Sequence, residues 1–240
     1  MSVFDLRRND AAILSHWCLI SCVNAAGGRV RVPTGLPDIE DAKAMAKTLL
    51  ELAGADLAPA KTRDACLILI DLQNEYVSGP IAVRDVDGAI RNTTKLLRQA
   101  REDGSPVFHI AHKGRPGSLF DRNDQRGQIV TPLAPRPNEP VVEKTLPNAF
   151  AGTELQKLLA ASGRKNIILA GFMTHMCVSS TARAALDLNF RTTIARDCCG
   201  TRDLPDSSGG IIAARVVHDV ALAELADRFA IVAANTEILP

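Results

Sequence analysis

Apolar positions come in short unbroken runs, each followed by a longer stretch with helical spacing. The runs are Cys66 to Ile70, Val107 to Ala111, Val141 to Val142, Ile167 to Ala170, Thr192 to Ala195 and Phe229 to Val232. A strand buried on both faces reads this way, since neither side meets water, and crossover helices join it to parallel neighbours. Helical spacing fills the intervals around residues 86–102, 153–162, 177–189 and 207–227. Thr153 is placed to cap the second helix and Gly163 to end it, with Leu155, Leu158 and Leu159 on the buried side. The pattern predicts an α/β architecture on a mostly parallel sheet, occupying residues 61–240. Residues 1–60 form an arm and a short helix: the run from Asp38, DIEDAKAMAKTLLELAGA, puts Ala42, Met45, Leu49 and Leu52 on one face, with Gly54 as a stop. Before Asp38 no period is clear, and GGRVRVPTGLP reads as a turn-rich linker.

Composition narrows the function. Hydrophobic residues make up 46% and charged residues 23%, ordinary globular usage, and 4% aromatic residues leave the core to aliphatic side chains. Lys and Arg number 28 against 27 Asp and Glu, so the chain has no overall field that attracts nucleic acid or anionic lipid. A small-molecule partner is expected, with no nucleic acid and no membrane. Six scattered cysteines, Cys18, Cys22, Cys66, Cys177, Cys198 and Cys199, do not make the dense framework of a small secreted domain. The apolar patch AAILSHWCLISCVNA behind Arg7 and Arg8 imitates a signal peptide, but His16 and Asn24 interrupt it, so a cytoplasmic location is expected.

In parallel sheets the ligand lies beyond the carboxyl ends of the strands. Asp71 follows LILI, Lys144 follows VVE, and Cys177 follows the strand at Ala170 by seven residues, at the opening of the helical stretch CVSSTARAALDLN. Alone, each has a plain reading as turn residue, surface cation or small core residue. Together they supply what thiol chemistry requires. A helix N-terminus, with Cys177 at the N-cap or first position, and a nearby cation lower the thiol pKa, and a carboxylate accepts the proton. Spacing does not establish that the three meet.

The segments LILIDLQNEY, VVEKTLPNAF and ILAGFMTHMCVSSTARAALDLNFRTTIARDCCGTRDLP resemble, in order and spacing, the signature blocks of isochorismatase-like cysteine hydrolases. The likeness extends over roughly residues 43–235, with G-x-x-T-x-x-C-V and the following T-A at Gly171, Thr174, Cys177, Val178, Thr181 and Ala182 its most specific part. It implies a three-layer sandwich with a six-stranded sheet, and assembly into a homo-oligomer, a dimer or tetramer. It also implies Cys177 as nucleophile, Asp71 as base, Lys144 as stabilising cation, an oxyanion hole from the amides of Met173 and Cys177, and a cis bond between Phe172 and Met173. Gln73, Tyr76, His112, Asn148, Phe150, Thr174 and His175 flank these positions as candidate substrate contacts.

Within that superfamily, Cys177 favours hydrolysis of a C–N bond, amide or carbamoyl, through a thioester. Metal-dependent nicotinamidases carry a D-x-H string near the second strand, where this chain has HIAHKGRPGS. His109 and His112 would point to opposite faces of a strand. No metal and no cofactor is expected. Neither Cys198–Cys199 nor the C-x-x-x-C of Cys18 and Cys22 makes a metal site. The alternatives are a vinyl-ether hydrolase of isochorismatase type and a thiol redox sensor in which Cys198 or Cys199 resolves oxidised Cys177. No dinucleotide or P-loop glycine motif and no G-x-S-x-G elbow occurs.

Overall fold

The computed structural model describes residues 46–240. The arm, the cysteines Cys18 and Cys22, and the expected helix up to Met45 lie outside them. Thr48–Pro240 forms one compact unit. Its first element is the short helix α1 (Leu49–Leu52), capped by Thr48, whose hydroxyl accepts from Glu51 N–H while the Glu51 carboxylate takes the Thr48 N–H. Such a capping box starts a helix at its own position, so α1 begins at Leu49 and the described residues before it, 46–48, are not helical. Gly54, at φ 65°, stops it as expected.

Six parallel strands follow: β1 (Ala65–Ile70), β2 (Val107–His112), β3 (Val141–Lys144), β4 (Asn166–Phe172), β5 (Arg191–Gly200) and, after the hairpin strands β6 (Leu204–Pro205) and β7 (Ile211–Ile212), β8 (Ile231–Ala233). They lie side by side in the order β3-β2-β1-β4-β5-β8. All six residues of β1 are buried. The edge strand β3 alternates exposed and buried. After the one-turn helix α2 (Glu75–Ser78), α3 (Val86–Glu102) covers one face through Leu96, Leu97 and Ala100. The helices α4 (Leu155–Ala161), α5 (Ser179–Asp187) and α6 (Ala214–Arg228) cover the other through Leu155, Leu159, Ala182, Ala185, Leu222 and Leu225. A last turn, α7 (Asn235–Ile238), closes the chain. The strand order reverses between β1 and β4, which opens a crevice at their carboxyl ends.

Three expectations change. The last long helix starts at Ala214 and not near residue 207, because Asp206 accepts from the N–H groups of Ser208 and Gly210 and, with Gly209 at φ 89°, folds the preceding segment into the β6–β7 hairpin. Strand β5 runs on past Ala195 to Gly200, through Arg196 and Asp197, whose polarity hid it. Helix α5 starts at Ser179, because Thr174–Val178 forms a wide π-type turn, with Val178 N–H donating to Met173 O at 3.3 Å.

Candidate active site

Each group around the crevice is placed by a local device. Asp71 takes a left-handed backbone at φ 50°, which turns the chain directly after β1, and its N–H donates to Ile110 O of β2 at 3.0 Å. Lys144 is the last residue of β3. Cys177 sits fourth in the wide turn after β4, beyond a cis bond between Phe172 and Met173. That turn is stitched down by Thr174, whose hydroxyl donates to Gly200 O at 3.1 Å and so accepts from His218 Nδ1 at 2.8 Å. Gly171 has φ 129°, and a Cβ there would lie 2.0 Å from Ile70 O, so no side chain fits where β4 passes β1. Thr181 accepts the N–H of Ala149 at 3.0 Å, tying the segment after Lys144 to the helix after Cys177.

Lys144 Nζ is the hub. It lies 2.6 Å from Asp71 Oδ2, 3.3 Å from Cys177 Sγ and 3.3 Å from His112 Nδ1. The Asp71 contact is a charge pair whose angles fall outside those of a hydrogen bond, and neither side chain has exposed surface. Asp71, His112 and Cys177 present ligand atoms within 4.8 Å of one another, a grouping that elsewhere could hold a metal. Here the ammonium already contacts all three, and a metal ion would be set against a fixed positive charge. The donor set does not fit a metal.

Burial dominates the electrostatics. The Cys177 thiol is pushed up to about 12, first by burial and then by the Asp71 charge, with Lys144 opposing. Burial likewise raises Asp71 against the pull of Lys144. His112 is held below its ordinary value by burial and then by Lys144, so it is neutral and Nδ1 is free to accept from the ammonium. The expectation of an acidified thiol at a helix N-terminus is thus corrected. Cys177 lies inside a turn and not at its cap, and desolvation of the thiolate outweighs the cation.

The flanking candidates divide. His112 belongs to the cluster. Tyr76 is buried against Phe120 and Phe172, with ring centroids 5.1 and 5.7 Å away. Gln73 is committed to backbone: its amide nitrogen donates to His112 O and Gly127 O, and its oxygen accepts His112 N–H. Asn148 turns the chain by accepting Phe150 N–H, and Phe150 stacks on Phe190 at 6.0 Å. Thr174 is wholly buried under the turn, and His175 pairs with Thr201 Oγ1 at 2.6 Å. His109 pairs with Glu139 at 3.0 Å, away from the cluster, so the two β2 histidines serve different sites. Two neighbours escaped sequence reasoning. Phe120, at 4.9 Å from the His112 ring, signalled itself only as a lone aromatic in the polar run RPGSLFDRNDQ. His218 gave no signal, being one more polar residue on a helix.

The isochorismatase domain model matches residues 65–237. The chain belongs to the isochorismatase family. Its likeness to the solved isochorismatase of Pseudomonas putida KT2440 covers 81% of this chain and 100% of that one, at 40% identity and a TM-score of 0.78. The secreted isochorismatase effector Isc1 of Verticillium dahliae is 36% identical over 78% of this chain and 96% of its own. Streptothricin hydrolase of Streptomyces noursei is 36% identical over 60% of this chain and 57% of its own. The six-stranded parallel sheet with helices on both faces is the fold these structures share. Among the described residues of this family member, no helix is long and apolar enough to cross a membrane.

Proposed function

We propose that the chain is a cysteine hydrolase that cleaves the C–N bond of a small amide or carbamoyl compound through a thioester, without a metal. The observation that carries this reading is the buried ammonium of Lys144 in contact with both the Asp71 carboxylate and the Cys177 sulfur. Hydrolases of C–N bonds among its relatives, streptothricin hydrolase and a maleamate amidohydrolase of Pseudomonas putida that is 28% identical, support the reaction class. In the resting site the proton is on sulfur. Substrate brings it to Asp71 as sulfur attacks the carbonyl, so negative charge moves from carboxylate to sulfur while Lys144 stays against both. The amides of Met173 and Cys177 receive the oxyanion. The C–N bond breaks, the leaving nitrogen takes the proton from Asp71, and water, deprotonated by Asp71, releases the acid and restores the thiol. His112 and Tyr76 line the substrate side, and assembly into a homo-oligomer in the cytoplasm completes the reading.

A screen of amides, ureas and carbamates for ammonia or amine release tests the class, with pyruvate release as the vinyl-ether outcome. With a hit in hand, Cys177→Ala eliminates turnover while circular dichroism stays unchanged, since only a sulfur is removed. Rapidly quenched wild type shows an acyl adduct on the Cys177 peptide, and a chelator leaves the rate intact. Near-native turnover by Cys177→Ala, or activity that returns only with added zinc, defeats the proposal.

A further inference from the structure

The turn that carries Cys177 is wider than a helical one, and its width decides where one N–H group goes. Met173 O accepts from Met176 N–H at 3.0 Å and from Val178 N–H at 3.3 Å, passing over Cys177 N–H between them. In an α-helical turn the N–H of residue 177 would bond to the carbonyl four residues back, which is Met173 O. The wide turn therefore leaves Cys177 N–H free of the bond that a regular helix would give it. Part of what holds this shape comes from outside the turn. Thr174, its first residue, is wholly buried. A hydroxyl has one proton, and that of Thr174 goes to Gly200 O of β5 at 3.1 Å, so its second bond, to His218 Nδ1 at 2.8 Å, is one it accepts. His175 adds a bond to Thr201 Oγ1 further along the same strand end. The residues that α6 buries, Ala214, Ala221, Leu222 and Leu225, are apolar, and His218 gives this cover a polar contact with the turn. His218 also lines a cavity of about 880 Å³ walled by α3, β5 and α6, so a smaller side chain there meets space and not overpacking. Without the imidazole, the buried Thr174 oxygen loses its donor and the turn loses its only side-chain tie to α6 among the described hydrogen bonds.

We propose that His218 is a positioning residue of this site: by donating to Thr174 from α6 it holds the nucleophile turn wide and keeps Cys177 N–H free for the oxyanion. It touches neither substrate nor the reacting atoms and acts through Thr174. This rests on the hydrolase reading above, and the test separates the two. The variants are His218→Leu, which removes the donor, His218→Asn, whose amide nitrogen can stand where Nδ1 stood, and Thr174→Val, which removes the acceptor; His218→Ala replaces the Leu variant if that does not fold. Each is assayed with the fastest compound of the amide, urea and carbamate screen, and hydrogen exchange of the free protein is followed by mass spectrometry. His218→Leu lowers kcat by about tenfold or more and leaves KM within about twofold, because the oxyanion contact is made only in the transition state. In the same variant residues 173–178 exchange at least about threefold faster while β1 and α3 keep their protection. His218→Asn recovers most of both losses. Made on top of Thr174→Val, His218→Leu costs no further rate, since the bond is already gone. A loss in KM and not in kcat, an Asn variant as impaired as the Leu variant, or a full further loss in the Thr174→Val background overturns the proposal. Unchanged exchange over 173–178 overturns it whatever the kinetics. If the wild type releases amine from no compound, the hydrolase reading falls and exchange decides alone: faster exchange in the Leu variant, restored in the Asn variant, upholds His218 as the anchor of the turn.

Discussion

Asp71 and Lys144 are each other's condition for being buried. A carboxylate and an ammonium without exposed surface remain charged only because they are paired. Lys144→Met therefore leaves a buried carboxylate uncompensated and is expected to destabilise the protein by about 3–5 kcal/mol. Asp71→Asn alone strands the ammonium, which keeps only Cys177 and His112 as neighbours. The double variant, with neither charge, recovers most of the loss, and urea denaturation of the four proteins reads the coupling directly. Additive losses would show that the pair does not hold the site together. The three residue types were legible in the sequence because Asp71 and Lys144 close apolar runs and Cys177 stands shortly before a helical stretch. Their meeting at one ammonium was not, since it depends on β3 lying two strands away from β1. The thiol's resting protonation was illegible for a related reason: burial depth is a property of the packed site.

At the scale of elements, the site is a consequence of how closely β4 passes β1. Strand β1 pairs with β4 from Ala65 against Asn166 to Ile70 against Gly171, and the last pair places glycine where any Cβ would strike the Ile70 carbonyl. Gly171→Ala forces the strands apart at the point from which Asp71 and the nucleophile turn depart. We expect a loss of at least about 3 kcal/mol from strain and overpacking, together with loss of turnover out of proportion to the fraction unfolded. Denaturation and activity assayed on the same sample check it. Wild-type stability in this variant would mean that the close approach is not required. The strands were legible as apolar runs, and α3 matches the expected 86–102 at both ends. What stayed hidden were segments governed by side-chain hydrogen bonds: the Asp206 hairpin, the Thr48 cap, and the turn stitched by Thr174. No periodicity reports these.

The whole molecule answers to pH through its histidines. Those among the described residues, His109, His112, His175 and His218, are all held below the ordinary value, each first by burial. The unfolded chain, in which histidine titrates near 6.5, therefore binds more protons than the native state once pH falls to that region. Their contribution is fully present above about pH 6.5 and is lost as pH falls from there, at no more than about 1.4 kcal/mol per pH unit for each group. Glu139 works in a lower window. Burial alone would raise it, but Arg101, the Arg136 N–H and His109 outweigh burial and hold it at about 2. Its stabilisation is present above about pH 4.3, the unfolded value, and fades as pH falls towards 2. Urea midpoints measured from pH 7.5 to 3 should thus fall in two stages. Glu139→Gln makes the lower stage shallower, leaving the part due to the other carboxylates held below their ordinary values, Asp103, Asp121, Glu143, Asp203 and Asp206, and His218→Asn, which keeps an N–H donor for Thr174, shallows the upper one. A midpoint that stays flat between pH 7.5 and 5.5 would show that these imidazoles are not neutral in the folded protein, and with them would go the neutral His112 against the ammonium of Lys144.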